Sequence, residues 1–226
     1  MIGDSAVHKG VNSRQRGGGP RIERVVTSGT FSLDGGTWNV DNNVWLVGDD
    51  REVLVIDPAH DASPILAAVG SRDVTAIVCT HGHNDHINAA GDLFEATKAA
   101  VWLHPGDRML WDAVHSDFAP EGELADGHVF NVAGIQLRVL HTPGHSPGSV
   151  CLRASDLDAV FTGDTLFAGG PGATGRSYSD FDTIICSIRD RLFTLPLETV
   201  VYTGHGETTT IGSEMPHLQE WIARGY

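Results

Sequence analysis

Thr80-His81-Gly82-His83-Asn84-Asp85-His86 is the most informative stretch of this chain, because it brings three imidazoles and one carboxylate into a single short run. The apolar residues 74–79 directly precede it and predict a buried strand. The run therefore begins where a core strand ends, and Gly82 lets the backbone turn tightly. Side chains mounted on such a rigid element can hold the fixed geometry that a metal site requires. Imidazoles and a carboxylate suit zinc, iron or manganese, and no thiolate is present to select softer metals.

Three further candidate ligands lie downstream, each beside a glycine at or near the end of an apolar segment. They are His145, Asp164 and His205. Any one of them alone is more typical of a structural turn than of a ligand. Together with the histidine-rich run they supply seven ligands, which suit two adjacent metal ions if one carboxylate bridges them.

The motifs that carry these residues resemble the metal motifs of the metallo-β-lactamase superfamily, in that family's usual order. They are His81-Gly82-His83-Asn84-Asp85-His86, Thr142-Pro143-Gly144-His145-Ser146, Thr162-Gly163-Asp164-Thr165-Leu166-Phe167 and Thr203-Gly204-His205-Gly206. The resemblance covers roughly residues 21–226 and is strongest to small glyoxalase II-like thioester hydrolases. It implies an α/β fold, a four-layer αββα sandwich. It also implies that one metal is held by His81, His83 and His145, the other by Asp85, His86 and His205, and that Asp164 bridges the two.

The hydrophobic pattern is compatible with that fold, because strand-rich blocks followed by strand–helix alternation predict two packed sheets with helices outside. The predicted strands cover residues 22–32, 43–47, 53–56, 74–79, 101–103, 129–132, 135–140, 150–153, 159–161 and 199–202. The predicted helices cover residues 61–69, 107–114, 180–193 and 214–223, and one more runs from about Asp85 past Phe94. No linker interrupts this series. We therefore expect residues 21–226 to form a single domain after a flexible leader, residues 1–20.

The composition restricts which partners and which cellular compartment we expect for this chain. The 226 residues carry a formal net charge of −14, which argues against a nucleic acid bound by phosphate neutralisation. No apolar run approaches the roughly 20 residues that cross a bilayer, and the N-terminus lacks the apolar core of a signal peptide. Cys79, Cys151 and Cys186 fall in apolar patterns, so we expect buried reduced thiols and a cytoplasmic protein. The sequence leaves the oligomeric state open.

The predicted site suits hydrolysis of a thioester, the S-acyl adduct of a small thiol. A bound divalent ion lowers the pKa of water to roughly 7 and polarises a carbonyl group. Asp85 is predicted both to bind the second metal and to orient the attacking hydroxide. A thiolate leaves without help from a general acid, and the sequence nominates no such acid. Zinc is the preferred metal, and Asp57 is expected to hydrogen-bond to a ligand's backbone or imidazole.

The glycine-rich residues 166–181 are longer than the matching turn of the relatives, so we expect a flexible loop beside the metals that influences specificity. Arg176 and Tyr178 are the candidates for contacting a substrate carboxylate or thiol moiety. Their alternative is local: Arg176 would pair with a nearby acid and Tyr178 would pack. We also expect the basic C-terminal helical segment of longer glyoxalase II enzymes to be absent, since the sequence reaches Tyr226 soon after His205. The carrier thiol, glutathione or an actinobacterial equivalent, is therefore left open.

Competing functions use the same residues. Persulfide dioxygenases also resemble this chain and hold a single iron with residues matching His81, His145 and Asp164. Lactones and other esters are alternative substrates on the same site. A non-enzymatic binding module is disfavoured, because it would not need to keep all seven ligands. A secreted β-lactamase is disfavoured too, because it would call for a signal peptide.

Overall fold

The computed structural model describes residues 18–225, and two six-stranded sheets form its centre. The first sheet consists of β1 (Arg21–Leu33), β2 (Gly36–Gly48), β3 (Glu52–Ile56), β4 (Asp73–Val78), β5 (Val101–Leu103) and β6 (Gly122–Glu123). These strands lie side by side in chain order. The pairs from β1 to β3 are antiparallel, and the pairs from β3 to β6 are parallel.

The second half of the chain supplies the other sheet and one small hairpin. Its strands are β7 (Val129–Val132), β8 (Ile135–His141), β9 (Val150–Ala154), β10 (Ala159–Gly163), β11 (Leu166–Phe167), β12 (Gly170–Pro171), β13 (Val200–Thr203) and β14 (Thr209–Thr210). The sheet has the order β14-β13-β10-β9-β8-β7, and β11 pairs only with β12. Strands β10 and β13 are parallel, so both ends that carry predicted ligands reach the same edge.

Helices cover the outer faces of both sheets. Against the first sheet lie α1 (Ala62–Val69), α2 (Asn84–Ile87), α3 (Ala90–Thr97) and α4 (Arg108–Val114), and against the second lie α5 (Phe181–Ser187), α6 (Ile211–Glu214) and α7 (Leu218–Arg224). Successive side chains of a strand point to opposite faces of the sheet, so one strand contributes to two cores. Trp45 faces the space between the sheets, whereas Leu46 faces the helices. The predicted αββα sandwich is confirmed.

The single helix predicted from Asp85 past Phe94 is wrong, because the chain forms α2 and α3 with a break between them. At the break, the amide of Ala89 donates to the carbonyl of Pro58 at 3.1 Å. The side-chain oxygen of Asn88 accepts from the amide of His60 at 2.6 Å. The first bond takes the place of a helical one and the second ties the same segment to the loop after β3, so the helix ends and restarts. Strand β2 is also longer than predicted, because its first half is polar and pairs with β1 as a hairpin.

The cysteines match the predicted burial only in part. Cys79 and Cys151 are buried in the cores, whereas Cys186 is exposed, so the prediction of three buried thiols is wrong at that position. Cys186 lies on α5, a helix that covers the sheet with only one of its sides. A cytoplasmic location stays a prediction. Within residues 18–225 no helix is both long and apolar enough to cross a membrane. The leader predicted for residues 1–20 lies mostly outside the described residues.

Candidate metal centre

The seven predicted ligands converge at one edge of the sandwich because each follows the end of a strand. The chain leaves β4 at Val78, turns through His81 and His83, and presents Asp85 and His86 on the short helix α2. The other three ligands follow β8, β10 and β13 in the second sheet; they are His145, Asp164 and His205. The two sheets thus contribute to a common cleft, as the motif spacing predicts.

One set of ligand atoms, called here the first cluster, consists of His81, His83 and His145. Their side chains are almost fully buried, and the candidate ligand atoms all lie within 4.8 Å of one another. Nδ1 of His83 lies 3.0 Å from Nε2 of His145. Burial, reinforced by neighbouring imidazoles, lowers the pKa of His83 to about 3 and holds the pKa of His81 well below its usual range. His81 and His83 therefore offer neutral nitrogen lone pairs.

The second cluster consists of Asp85, His86 and His205. Oδ2 of Asp85 lies 3.3 Å from Nε2 of His205 and 3.5 Å from Nε2 of His86. Burial lowers the pKa of His205, but the Asp164 carboxylate outweighs it and the pKa rises to about 10. His86 shows the same balance, because Asp164 and Asp85 overcome its burial and hold its pKa well above the usual range. Without a metal ion, protonated His86 and His205 therefore balance the negative charges of Asp85 and Asp164.

Asp164 lies between the clusters. Its Oδ2 is 3.6 Å from Nε2 of His145 in the first cluster and 3.4 Å from Nε2 of His205 in the second. Its Oδ1 is 3.4 Å from Nε2 of His86. Burial raises the pKa of Asp164, but the charges of His205 and His86 outweigh burial, so the carboxylate stays ionised. Oδ2 thus lies near imidazoles of both clusters, which is the placement that a bridging role needs.

Four of the predicted ligand imidazoles are oriented by hydrogen bonds at their outer nitrogen atoms, and in one of them Nδ1 of His81 lies 3.1 Å from Oγ1 of Thr80. Nδ1 of His145 lies 2.9 Å from the carbonyl of Ala173, and Nδ1 of His205 lies 2.8 Å from the carbonyl of Asp41. A carbonyl oxygen only accepts, so both Nδ1 atoms carry a proton and both Nε2 atoms face the cleft. Such bonds fix the tautomer and the ring plane of a metal ligand.

Asp57 performs the same task for His86 and also holds the chain at the start of the histidine-rich run. Its Oδ2 lies 3.0 Å from Nδ1 of His86 and accepts from the hydroxyl of Thr80 at 2.8 Å, while Oδ1 accepts from the amide of Thr80 at 2.6 Å. The predicted contact of Asp57 with a ligand imidazole is therefore confirmed. Asp57 also groups with His81 and His86 within ligand distance. Because its oxygens are already occupied by these donors, we interpret it as a supporting residue.

Buried polar atoms that lack a hydrogen-bond partner indicate whether the predicted ligands could hold metal ions. Among the described residues, the buried side-chain atoms without a hydrogen-bond partner are Nε2 of His81, Nε2 of His83, Oδ1 of Asp85, Oδ1 of Asp164 and Oγ1 of Thr27. Four of these five atoms belong to predicted ligands. Buried polar atoms are rarely left unpaired, since each costs about 1–3 kcal/mol. The donor set therefore fits divalent cations, although the assignment of individual metal ligands stays a prediction.

Two glycines make this convergence sterically feasible. A Cβ atom at Gly204 would lie 2.3 Å from Oδ1 of Asp164 and 2.8 Å from Cε1 of His86. Gly163 adopts a φ of +48°, and a Cβ atom there would lie 2.2 Å from the hydroxyl of Thr80. Side chains cannot approach that closely, so both positions require a residue without one.

Asn42 is a site residue that sequence reasoning missed. Its side chain is fully buried, and its amide nitrogen lies 3.1 Å from Oδ2 of Asp85 and 3.2 Å from Nε2 of His86. Its amide oxygen lies 2.8 Å from Nε2 of His60. Asn42 occupies the polar half of β2, where the sequence predicts no strand, and an asparagine there is indistinguishable from an ordinary hairpin residue.

A cavity of about 240 Å³ opens over both clusters. It is lined by Phe31, Trp38, Val40, His83, Asp85, His145, Asp164, Ala173, Arg176, Ser177, Ser179 and His205. The β1–β2 hairpin supplies the apolar wall, and the loop after β12 supplies the polar one. The hairpin tip and this loop also meet through the amide of Ser177, which donates to Oδ2 of Asp34 at 3.0 Å.

The two predicted substrate-binding residues lie in different positions. The guanidinium carbon of Arg176 lies 4.0 Å from the ring centre of Trp38 and 5.8 Å from that of Phe31. It lines the cavity and, among the described residues, forms no ion pair. Tyr178 does not line this cavity; it is 55% exposed and adopts a left-handed φ of 71°. Substrate contact by either residue stays a prediction.

Comparison with known proteins gives consistent results. A family model described as the metallo-beta-lactamase superfamily matches residues 38–205, a span that contains all seven predicted ligands. The chain is 30% identical over 181 residues to the hydroxyacylglutathione hydrolase GloC of Haemophilus influenzae, covering 74% of this chain and 85% of that protein.

Two solved structures also superpose on most of the chain. TTHA1623 in a di-iron-bound form is 33% identical with a TM-score of 0.70, covering 78% of this chain and 93% of that one. ETHE1 from Myxococcus xanthus is 28% identical with a TM-score of 0.69, covering 88% of this chain and 89% of that one.

Proposed function

Because the chain belongs to the metallo-beta-lactamase superfamily, we propose that it is a metal-dependent hydrolase that cleaves the thioester bond of an S-acyl adduct of a small thiol. The observation that carries this proposal is the cavity over the two clusters, which combines an apolar wall with the Arg176 guanidinium. Such a cavity suits a small acyl group joined to a thiol that bears a carboxylate. The relative named a hydroxyacylglutathione hydrolase supports the same class of substrate.

The first cluster and the second cluster would each hold one divalent ion, with Asp164 facing both. Zinc is our preferred metal, and iron or manganese would suit the same donors. When bound, the ions would supply Lewis-acid chemistry, lowering the pKa of water to about 7 and polarising the substrate carbonyl. The protein's own contribution is the rigid placement of the ligands at strand ends and the exclusion of bulk water from the cleft.

Asp85 is the residue that we assign to catalysis. Its Oδ2 is held by the amide of Asn42, whereas its Oδ1 is buried and has no partner. The free oxygen can accept a hydrogen bond from the attacking water-derived nucleophile and fix its direction. The nucleophile's oxygen bonds to the carbonyl carbon, the carbon–sulfur bond breaks, and the thiolate leaves with the bonding electrons.

The leaving group explains why a thioester suits this cavity better than an amide. Apart from the predicted ligands, the polar side chains that line it belong to Arg176, Ser177 and Ser179. An arginine does not release its proton at neutral pH, and a serine is a weak acid. A thiolate needs no proton to depart, whereas an amide nitrogen does. The cation–π contact keeps Arg176 at the cavity wall, where it can pair with a substrate carboxylate.

The test combines elemental analysis of the purified protein with an activity panel. The substrates are S-acyl glutathione, an S-acyl thiol without a carboxylate, a lactone and a thiol persulfide. We expect two metal ions per chain and oxygen-independent turnover of the S-acyl thiols. Arg176→Met should raise KM for the carboxylate-bearing thioester about tenfold, as loss of one charged hydrogen bond predicts, and leave the other thioester unchanged. Thr174→Ala, on the same loop but outside the cavity lining, is the matched control.

Turnover of lactones with no activity on any S-acyl thiol would overturn the proposal. The competing function is persulfide oxidation at a single iron, because the motifs with His81, His145 and Asp164 also resemble those of persulfide dioxygenases. That alternative predicts one iron per chain and oxygen consumption with the thiol persulfide. The second cluster has no role in it, so His205→Ala would leave that activity unchanged but would abolish the thioesterase.

A further inference from the structure

Asp107 is a buried carboxylate that neither the predicted ligand set nor the proposed chemistry uses. It ends a short 3₁₀ turn, Pro105–Asp107, that follows β5, and its side chain is inaccessible to solvent. No lysine or arginine among residues 18–225 forms an ion pair with it. Burying an unpaired carboxylate is costly, so the hydrogen bonds that it accepts must matter.

Three hydrogen-bond donors from two chain segments converge on this carboxylate. Oδ2 of Asp107 accepts from the amide of Gly82 at 2.8 Å and from the hydroxyl of Ser146 at 2.6 Å. Oδ1 accepts from the amide of Gly148 at 2.6 Å. Gly82 lies between His81 and His83, and Ser146 directly follows His145. One side chain therefore connects both segments that carry the first cluster.

Close packing leaves the connection little freedom to move. A Cβ atom at Gly148 would lie 2.7 Å from Cγ of Asp107. A Cβ atom at Gly82 would lie 3.0 Å from Cβ of Asp107 and 2.8 Å from Cβ of Leu110. The two ligand segments thus rest directly against the same aspartate, and a shift of either segment would break a hydrogen bond or create a clash.

We propose that Asp107 is a positioning residue for the first cluster: it sets the spacing between the histidine-rich turn and the His145 loop, and so sets the affinity of that cluster for a divalent cation. This rests on the metal-binding half of the proposed function and is independent of the thioester. The second cluster has its own support in Asp57 and does not contact Asp107. The effect of losing Asp107 is therefore selective.

Asparagine is the informative replacement because it keeps the size of the side chain. It offers one oxygen where three donors converge, so its amide nitrogen must face a backbone N–H group. Burial outweighs the donors from Ser146, Gly148 and Gly82, so the pKa of the Asp107 carboxyl lies above its usual value. Asp107→Asn should consequently disturb both ligand segments without emptying a cavity.

The experiment separates the clusters by deleting one ligand from each. His205→Ala leaves the first cluster complete, and His83→Ala leaves the second complete. Zn²⁺ affinity is measured in both backgrounds by competition with a chromophoric chelator, with and without Asp107→Asn. We expect the Kd to rise about 10- to 100-fold in the His205→Ala background, the usual cost of losing a residue that orients metal ligands. In the His83→Ala background the Kd should change less than about threefold, near the limit at which distant sites are independent.

Asp49→Asn is the matched control. Asp49 is also buried and accepts from two backbone amides, those of Arg51 at 2.7 Å and Glu52 at 3.0 Å, but it lies at the opposite end of β3 from the clusters. It should leave the Zn²⁺ affinity unchanged in both backgrounds. The melting temperature of each metal-free variant separates a general loss of stability from a loss of metal affinity.

A shift of equal size in both backgrounds, or one no larger than that of Asp49→Asn, would overturn the proposal. If Asp107→Asn does not fold, Ser146→Ala removes one of the three donors and should give a smaller shift with the same selectivity. Failure of the thioester assay leaves these outcomes intact. Absence of Zn²⁺ binding in both backgrounds would overturn this proposal and the proposed function together.

Discussion

The first and second clusters use the same kinds of side chain but differ in charge. The first consists of three imidazoles, and burial lowers the pKa of His81 and His83. The second contains Asp85 and lies closer to both carboxylates, so the pKa values of His86 and His205 are raised. Asp164 and Asp85 together therefore reverse the protonation preference of imidazoles a few ångströms apart.

Because of this difference, a metal ion competes with different species for the ligand atoms of the two clusters. At the first cluster the lowered pKa values keep His81 and His83 neutral, so a cation there competes mainly with water. At the second cluster the cation must displace protons, because ligation requires neutral imidazole. The two clusters should consequently fill in a pH-dependent order, although they share the Asp164 carboxylate.

The largest effect is expected from Asp164→Asn, since Asp164 contacts imidazoles of both clusters within 3.6 Å. Loss of the shared carboxylate should lower the affinity of both clusters for Zn²⁺ by about a hundredfold or more, beyond the usual cost of losing a supporting residue. Elemental analysis after dialysis measures the result. Asp85→Asn is the control and should empty only the second cluster. An Asp164→Asn protein that keeps one ion fully bound would show that Asp164 does not bridge.

A second prediction concerns proton release. Between pH 8 and pH 6, the affinity of the second cluster for Zn²⁺ should fall about tenfold per pH unit for each proton displaced. The first cluster should be nearly insensitive over this range, because the pKa of His83 is about 3. Chelator competition with the His83→Ala and His205→Ala variants measures each cluster separately. Equal pH slopes in the two variants would remove the proposed distinction.

The smallest effect concerns the metal-free protein. The pKa of His205 is raised from 6.5 to about 10, so its stabilising contribution is complete below pH 6.5 and is lost as the pH rises towards 10. The pKa of His83 is lowered from 6.5 to about 3, so its contribution is complete above pH 6.5 and is lost as the pH falls towards 3. These two groups therefore favour maximal stability near pH 6.5.

Thermal melts followed by circular dichroism in the presence of a chelator measure this profile. His205→Asn should flatten the alkaline side and leave the acidic side unchanged, and His83→Asn should do the opposite. A profile that responds identically to both substitutions would contradict the assignment of opposite pKa shifts.

The sequence predicts much of this molecule because its signals are local. His145, Asp164 and His205 each lie beside a glycine at or near a predicted strand end, so a few neighbouring residues are enough to identify them. The order of the predicted strands and helices is compatible with the αββα sandwich that the resemblance implies. Asp57 is also predictable, since it directly follows the apolar strand 53–56.

The parts that sequence reasoning missed depend on contacts between distant segments. Asp107 precedes an ordinary helix, and only the folded chain brings it to Gly82 and Gly148. The break between α2 and α3 likewise depends on two hydrogen bonds with the loop after β3: the amide of Ala89 donates to Pro58, and the side chain of Asn88 accepts from His60. Hydrophobic periodicity cannot predict such bonds, because each partner segment by itself has the composition of a regular helix or loop.

The absence of a side chain at Gly204 has a consequence for how this protein tolerates change. A single methyl group there would occupy the space of the Asp164 carboxylate without altering any ligand. A saturation screen for loss of function should therefore recover glycine positions along with the histidines and aspartates. The turns that face the metals are thus constrained by the lack of a side chain at Gly204 as well as by the identity of the predicted ligands.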